Sequence, residues 1–237
     1  MAGTYFVADI HLCSNNRHQQ RLFNAFLDHV LNHNGSLYII GDLFDFWANN
    51  KNVYAANSWV FEKLQLLCSK GCTVGLLIGN RDFLLRKNMV ESYGIHYLGE
   101  EAKVAIDGKQ FFLAHGHTLC LSDTQFLQYR ARMWPLFKMA DRILPGCIEN
   151  YLADKFMLQS KKVIQAQDPS RFRFTRNAIE NKFNNGIDYV ICGHTHQPET
   201  FQSGEHIFHA LPAWDEKSGY YLLYEHDVCT LKNFTPA

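Results

Sequence analysis

Short apolar runs recur along the chain, and each of them predicts a buried β-strand. The runs are TYFVAD (4–9), SLYIIGD (36–42), TVGLLIGN (73–80), KQFFLAHGH (109–117) and YVICGHTH (189–196). Helical patterns lie between the first three, most clearly in RHQQRLFNAFLDHVLNH, where apolar residues recur on one face. The residues of that face are Leu22, Phe23, Phe26, Leu27, Val30 and Leu31. Strands that alternate with helices predict an α/β fold with a parallel sheet.

The last part of the chain has a different pattern. HIFHALPAW, GYYLLYEH and DVCTLKNF have the form of short strands joined by tight turns, so we expect a second, partly antiparallel sheet that packs on the first. Residues 123–168 interrupt the pattern with a long helical stretch. This stretch is too short to indicate a separate domain. Residues 1–237 are therefore expected to form a single domain with a helical insertion at 123–168.

The composition is that of an ordinary globular protein. Hydrophobic residues make up 47% of the 237 residues and charged residues 19%, which argues against disorder. Lysine plus arginine and aspartate plus glutamate both number 23, so the formal net charge is +0. Without an excess of positive charge, no nucleic-acid partner is expected.

The cysteines and the start of the chain bear on the cellular compartment. Seven cysteines are scattered without the spacing of a zinc site, which predicts reduced thiols packed in the core. The first residues, MAGTYFVADIH, lack the basic region and apolar core of a signal peptide. No run approaches the roughly 18 apolar residues of a membrane span. We therefore expect a cytoplasmic protein.

Each of the five predicted strands ends on residues that bind metals. These residues are Asp9, His11, Asp42, Asn80, His115, His194 and His196. The carboxyl ends of parallel strands meet at one edge of a sheet, so we expect these side chains to converge. Carboxylates, an amide and imidazoles without thiolates suit divalent Mn, Fe or Zn. A shared carboxylate can bridge two such ions, and a water between them is acidified into a nucleophile. For any single strand end, an ordinary polar turn is the alternative.

The motifs DIH, GDLFD, GNRD, HGH and GHTH, in this order over positions 9–196, resemble the motif set of the calcineurin-like metallophosphoesterases. The resemblance implies a fold of two packed mixed β-sheets flanked by helices, with two divalent metal ions. It also implies a distribution of the ligands in which Asp42 bridges the two ions. One ion would be held by Asp9, His11, Asp42 and His196, and the other by Asp42, Asn80, His115 and His194.

Arg81 stands where the wider family carries a histidine. Arginine remains protonated, so it can bind a phosphate but cannot donate a proton to a leaving group. Such a site suits a leaving group that departs as a stable anion, for example the phosphate half of a pyrophosphate. The alternative without function is a surface pair of Arg81 with Asp82. We expect Asn80, Arg81 and His117 to take part in catalysis.

GNRDF, GDLFDFW, HGHTLC and the Ala213–Trp214 element together resemble one subgroup of that family, the UDP-2,3-diacylglucosamine pyrophosphatases of lipid A synthesis. In that subgroup an aspartate is common at the position of His117. The resemblance implies Mn²⁺-dependent attack of water on the α-phosphate, which releases UMP and 2,3-diacylglucosamine 1-phosphate. It further implies a lipid-linked nucleotide substrate and peripheral contact with the cytoplasmic face of the inner membrane. No obligate protein partner is inferred.

The insertion mixes apolar with basic residues. This composition predicts a helical lid that covers acyl chains and lies against an anionic membrane. The expected substrate contacts are Trp134, Phe137, Asp123, Lys161 and Lys162, together with Asn80 and Arg81. The alternatives are a helical hairpin that buries its apolar face on the sheet, a helix N-cap role for Asp123, and solvated lysines.

Two other functions remain open at this level. One is a calcineurin-like phosphodiesterase or pyrophosphatase that acts on another phosphoester, and the other is a metal-binding protein that regulates a partner without catalysis. Loss of a ligand is the usual way in which such a site becomes inactive, and all seven ligands are present. An enzyme is therefore expected.

Overall fold

The computed structural model describes residues 3–143 and 173–236. Within these residues the strands are β1 (Thr4–Val7), β2 (Ser36–Ile40), β3 (Val74–Leu77), β4 (His96–Gly99), β5 (Glu101–Ile106), β6 (Lys109–Ala114), β7 (Tyr189–Cys192), β8 (Glu199–Ser203), β9 (His206–Ala210), β10 (Gly219–Glu225) and β11 (Val228–Phe234). The described strands form two mixed sheets flanked by helices, which confirms the predicted fold class.

The first sheet has the order β11-β10-β1-β2-β3-β4, and the second has the order β5-β6-β7-β9-β8. The expectation that the last three strand patterns build a second sheet is wrong for two of them. β10 runs antiparallel beside β1, with Thr4 opposite Tyr224, and β11 pairs with β10. Of the three, β9 alone lies in the second sheet. The reason is that β10 has two apolar faces, with Leu223 facing the helices and Leu222 facing the second sheet.

Helices cover the outer faces of both sheets. In the described residues they are α1 (Arg17–Asn32), α2 (Lys51–Ser69), α3 (Lys87–Glu91), α4 (Thr124–Ile143) and α5 (Arg176–Asn184). The predicted apolar face of α1 is buried, and Asn16 caps the helix by accepting a hydrogen bond from the amide of Gln19. None of the helices in these residues has the length and apolar content needed to cross a bilayer.

An apolar layer holds the two sheets face to face. Phe6 of the first sheet stacks on Phe111 of the second, with ring centroids 5.6 Å apart. Ile40, Leu77 and Ile191 are fully or almost fully buried in the same layer. The sequence predicted that five strand ends share one edge of a single sheet, and this is wrong. Three of them belong to the first sheet and two to the second, and the packed apolar layer brings them together.

Only part of the predicted insertion, residues 123–168, can be compared with the structure. Lys161 and Lys162 lie outside the described residues. In α4, Trp134 is buried and stacks on Phe83 at 4.4 Å with an interplanar angle of 10°. Phe137 is partly buried against the same core. The described part of the insertion therefore packs its apolar face on the domain, as in the alternative kept open above.

A buried histidine in the second sheet makes stability depend on pH. His209 of β9 is 8% exposed, and burial lowers its pKa to about 4. In the unfolded chain this side chain takes up a proton near pH 6.5, whereas in the folded protein it stays neutral until about pH 4. The free energy of unfolding therefore falls as the pH is lowered from about 6.5 towards 4. Between pH 7 and pH 5 we expect a loss of about 2 kcal/mol from this residue.

The measurement is urea unfolding at both pH values for wild type and for His209→Gln, with the exposed His18→Gln as control. Substitution at 209 should reduce the pH dependence of the unfolding free energy, and substitution at 18 should not. Equal pH dependence in wild type and His209→Gln would contradict the assignment.

Candidate metal centre

The backbone at the strand ends has an uncommon conformation. Asp9, His11, Asp42, His194 and His196 all have positive φ angles, between 51° and 74°. They account for five of the nine non-glycine residues with positive φ in the part of the chain that the structure describes. Residues other than glycine rarely adopt positive φ angles, and a cluster of them at one place is typical of a functional site.

Two glycines let the carboxylates approach the neighbouring strand ends. A Cβ atom at Gly79 would overlap the carboxylate of Asp42, and one at Gly193 would overlap the carboxylate of Asp9. Any larger residue at 79 or 193 would therefore displace a predicted ligand. The glycines in GNRD and GHTH thus serve close packing of one strand end on another.

A first group of predicted ligand atoms comes from the loops after β1 and β7. The Nε2 atoms of His11 and His196 lie 3.1 Å apart. Asp9 Oδ1 lies 3.7 Å from the Nε2 of His11 and 3.4 Å from the Nε2 of His196. These atoms are close enough to bind one ion together.

A second group lies deeper between the sheets. His115 Nε2 is 3.4 Å from Asp42 Oδ2 and 3.9 Å from Asp9 Oδ1. Asn80 Oδ1 lies 3.0 Å from His115 Nε2 and 2.9 Å from His194 Nδ1. The structure therefore brings all seven predicted ligands together, although they come from five strands in two sheets.

Asp9 rather than Asp42 belongs to both groups of three potential ligands that the geometry defines. Asp42 Oδ2 nevertheless lies 4.0 Å from His11 Nδ1 as well as close to His115. Both carboxylates thus lie between the two groups, and the role of Asp42 as the bridge stays a prediction.

Hydrogen bonds from the other side fix the orientation of the ligands. His115 Nδ1 donates to the carbonyl of Ile40 at 3.0 Å, which leaves Nε2 directed at the carboxylates. Asp9 Oδ2 accepts from the amide of His194 at 2.7 Å. Asp42 Oδ1 accepts from the amide of Arg81 at 2.8 Å. Partners of this kind hold metal ligands in place and raise their basicity.

The carboxylates and histidines shift each other's pKa values. Burial alone would lower the pKa of His115, but Asp42 and Asp9 raise it to about 10. Burial would raise the pKa of Asp42, yet His115 and His11 hold it below its usual range. For His194 burial lowers the pKa, and the neighbouring His115 and His117 lower it further. The two carboxylates thus stabilise positive charge in this pocket.

The residues fit a metal centre. Among the described residues, neither Asp9 Oδ1 nor His11 Nδ1 has a hydrogen-bond partner, although both atoms are buried. Buried polar atoms without partners are costly, and an ion can satisfy them. Oxygen and imidazole nitrogen donors without thiolate suit Mn, Fe or Zn in their divalent states.

Asp82 is a buried neighbour of the predicted ligands, and the sequence pattern did not indicate its burial. It was considered only as part of a surface pair with Arg81, whereas it is fully buried. Its Oδ1 accepts from the amide of Gly79 at 2.7 Å, and its Oδ2 accepts from the amide of Leu43 at 2.8 Å. Burial and the charge of Asp42 raise its pKa to about 7. Asp82 therefore ties the loop after β2 to the loop after β3.

His117 lies under α4 and is 1% exposed. Its ring centroid is 5.7 Å from that of His115 and 5.9 Å from that of His194. Its Nε2 lies 3.5 Å from Glu100 Oε2. Burial would raise the pKa of Glu100, but His117 and Arg130 lower it to about 2. Glu100, which belongs to none of the motifs, is thus a neighbour of His117.

Two of the predicted substrate contacts that lie in the described residues are Arg81 and Asp123. Arg81 follows the ligand Asn80, and its charge contributes to the lowered pKa of His11, for which burial is the main cause. Asp123 Oδ1 accepts from the amide of Phe126 at 3.1 Å and so caps α4. This is the alternative kept open for Asp123. The substrate-binding roles of these residues, and those of Trp134 and Phe137, stay predictions.

Two packed mixed sheets with clustered carboxylates, histidines and an asparagine at their facing strand ends are typical of metallophosphoesterases. The family model of the calcineurin-like phosphoesterases matches residues 4–198. The chain therefore belongs to the calcineurin-like phosphoesterase family.

Curated relatives match almost the whole chain. The UDP-2,3-diacylglucosamine hydrolase of Pasteurella multocida is 30% identical over 214 residues, which are 90% of this chain and 87% of the relative. The enzyme of the same name from Histophilus somni is 31% identical over 215 residues, with coverages of 87% and 89%. Among solved structures, a novel archaeal phosphodiesterase has a TM-score of 0.49 and 12% identity, with 98% of this chain and 99% of that chain covered.

Removal of the Asp82 carboxylate should loosen the centre without removing a ligand. Asparagine at 82 retains one acceptor oxygen, so one of the amides of Gly79 and Leu43 loses its partner. We expect Asp82→Asn to weaken Mn²⁺ binding by about 10- to 100-fold, as loss of other groups that orient ligands does.

Isothermal titration with Mn²⁺ measures this effect, and Asp28→Asn, far from the centre, is the matched control. Equal affinity of Asp82→Asn and Asp28→Asn for Mn²⁺ would show that Asp82 does not position the ligands.

Proposed function

We propose that this protein hydrolyses the pyrophosphate bond of UDP-2,3-diacylglucosamine at the α-phosphate and releases UMP and 2,3-diacylglucosamine 1-phosphate. The observation that carries the proposal is the pair of ligand groups at the strand ends, with Arg81 directly after the ligand Asn80. The names of relatives that are about 30% identical over most of both chains support the substrate.

The ligands would divide between two ions as the family resemblance implies, with Asp9, His11, Asp42 and His196 on one ion and Asp42, Asn80, His115 and His194 on the other. When bound, the ions would supply a nucleophilic water and neutralise phosphate charge. Oxygen and imidazole nitrogen ligands suit Mn, Fe or Zn as divalent ions, and Mn²⁺ is the proposed metal because the family resemblance implies it.

Arg81 is proposed to bind the phosphate under attack. Its amide donates to Asp42, which places the residue at the edge of the ligand cluster. Attack of water on the α-phosphorus forms a new phosphorus–oxygen bond and breaks the bond to the bridging oxygen. The sugar phosphate leaves as a stable anion and needs no acid at position 81. A permanently charged guanidinium suits this role, since it stabilises the additional negative charge.

His117 is proposed to position the second ligand group rather than to contact substrate, because it is buried between that group and α4. Asp123, Trp134, Phe137, Lys161 and Lys162 are proposed as substrate-binding residues of the insertion. The insertion would also rest on the cytoplasmic face of the inner membrane. Exposed Leu136 and Met139 of α4 support this contact.

The test is hydrolysis of UDP-2,3-diacylglucosamine by the purified protein with Mn²⁺ in oxygen-18 water. The proposal expects UMP and the sugar phosphate in equal amounts, with the label in UMP. Label in the sugar phosphate would overturn attack at the α-phosphate. Absence of cleavage, together with fast cleavage of bis-p-nitrophenyl phosphate, would indicate another phosphodiester as the substrate.

Replacement of Arg81 should slow the reaction without loss of metal. We expect Arg81→Ala to lower kcat by roughly a hundredfold, as removal of other preorganised donors does, and Arg81→Lys to recover only part. The control is Lys87→Ala, which removes an exposed cation paired with Glu91. Steady-state kinetics with elemental analysis decides: normal kcat in Arg81→Ala at full metal occupancy would exclude the role.

A further inference from the structure

One face of α4 attaches the helix to the metal-binding domain. Its members are Arg130, Trp134, Phe137 and Asp141, which recur at helical spacing. Arg130 pairs with Glu100, and Trp134 stacks on Phe83. The opposite face carries exposed Leu136 and Met139. These contacts anchor the first part of the helix firmly beside the centre.

The second half of α4 is less well supported by its own backbone. Pro135 lies inside the helix. It has no amide hydrogen to donate to the carbonyl four residues earlier, and its ring crowds that carbonyl. Next to this half lies an open groove of about 590 Å³ between α3 and α4. Beyond Phe137, which packs against Phe83, the open groove leaves the end of α4 with little packing to fix its direction.

Asp141 supplies the missing attachment through a partly buried set of hydrogen bonds, in which the carboxylate is buried and Arg86 is exposed. Its carboxylate accepts from Arg86 Nη2 and Asn49 Nδ2, both at 2.7 Å, from Arg86 Nε at 3.1 Å and from the Asn49 amide at 3.3 Å. Arg86 Nη2 also donates to the backbone carbonyl of Asp141 at 2.8 Å. Asp141 is only 8% exposed.

The partners of Asp141 are themselves tied to both loops of the metal centre. Asn49 Nδ2 donates to the carbonyl of Leu84 at 2.8 Å, and Trp47 Nε1 donates to Asn49 Oδ1 at 3.0 Å. Trp47 follows the GDLFD motif, and Leu84 follows GNRD. Asp141 thus links the far end of α4 to the two loops that carry Asp42 and Asn80.

We infer that Asp141 is a positioning residue that, with Arg86 and Asn49, holds the second half of α4 in the orientation that the acylated substrate requires. The inference rests on the proposed function, since it assigns α4 to the acyl part of that substrate. Asp141 acts through the helix, and its hydrogen bonds within the described residues go to Arg86 and Asn49. Its loss should therefore affect the lipid substrate and spare small diesters.

The experiment compares Asp141→Asn, Arg86→Gln and the double variant with the matched control Glu91→Gln, an exposed carboxylate that lines the same groove. Asp141→Asn and Arg86→Gln should each lower kcat/KM for UDP-2,3-diacylglucosamine at least tenfold, mainly through KM. The double variant should be no worse than the poorer single variant. Cleavage of bis-p-nitrophenyl phosphate and Mn²⁺ occupancy should equal those of the control.

Arg86→Lys keeps the charge but not the paired donors of the guanidinium, so it should give an intermediate loss even where Asp141→Asn does not fold. Equal losses for lipid and diester would indicate general destabilisation and overturn the inference. Unchanged kinetics in Arg86→Gln and Asp141→Asn would overturn it as well.

Hydrogen exchange separates failure of the inference from failure of the proposed function. Amides of residues 136–143 should exchange faster in Asp141→Asn than in Glu91→Gln. If wild type does not cleave the lipid nucleotide, the proposed function fails, and faster exchange still supports the attachment. Equal exchange in the two variants overturns it.

Discussion

The structure depends on the burial of the Asp9 and Asp42 carboxylates between two sheets. In each carboxylate, one oxygen accepts a hydrogen bond from a backbone amide at another strand end, and the other oxygen faces histidines. Buried carboxylates require such partners, because an ion without compensation loses several kcal/mol of hydration. The Asp9 bond to His194 crosses from the first sheet to the second. The apolar layer around Phe6 and Phe111 therefore has to hold the sheets in register for the centre to exist.

The same burial explains why the centre favours positive ions. Asp82 adds a third carboxyl group close to Asp42, and its raised pKa reflects burial and that neighbour. The histidines compensate part of the charge, as the raised pKa of His115 indicates. Positively charged ions bound among these groups would supply the remainder. Stability of the fold and affinity for metal are thus coupled through the same few side chains.

Short motifs made much of the site predictable from sequence. All seven predicted ligands converge, because each lies within four residues of the end of a strand whose apolar pattern is unambiguous. The pattern did not predict which strands belong to which sheet. β10 has apolar residues on both faces, and its pairing with β1, far away in the sequence, leaves no local signal. Asp82 was missed because an aspartate after an arginine has the pattern of a surface pair. Its carboxylate is buried against the backbone amides of Gly79 and Leu43, and backbone amides leave no signal in the sequence.

The attachment of α4 shows why chemistry and substrate choice can vary separately in this fold. The predicted metal ligands lie at strand ends, and their arrangement depends on the packing of the two sheets. The helix is held instead by Glu100, Arg86, Asn49 and Asp141, all of which lie outside the ligand set. On the role inferred for Asp141, substitutions in this second set would change how the helix lies over the centre while the predicted ligands keep their partners. A protein with this fold can therefore keep the hydrolysis of a phosphoester bond while the substrate that contains this bond changes.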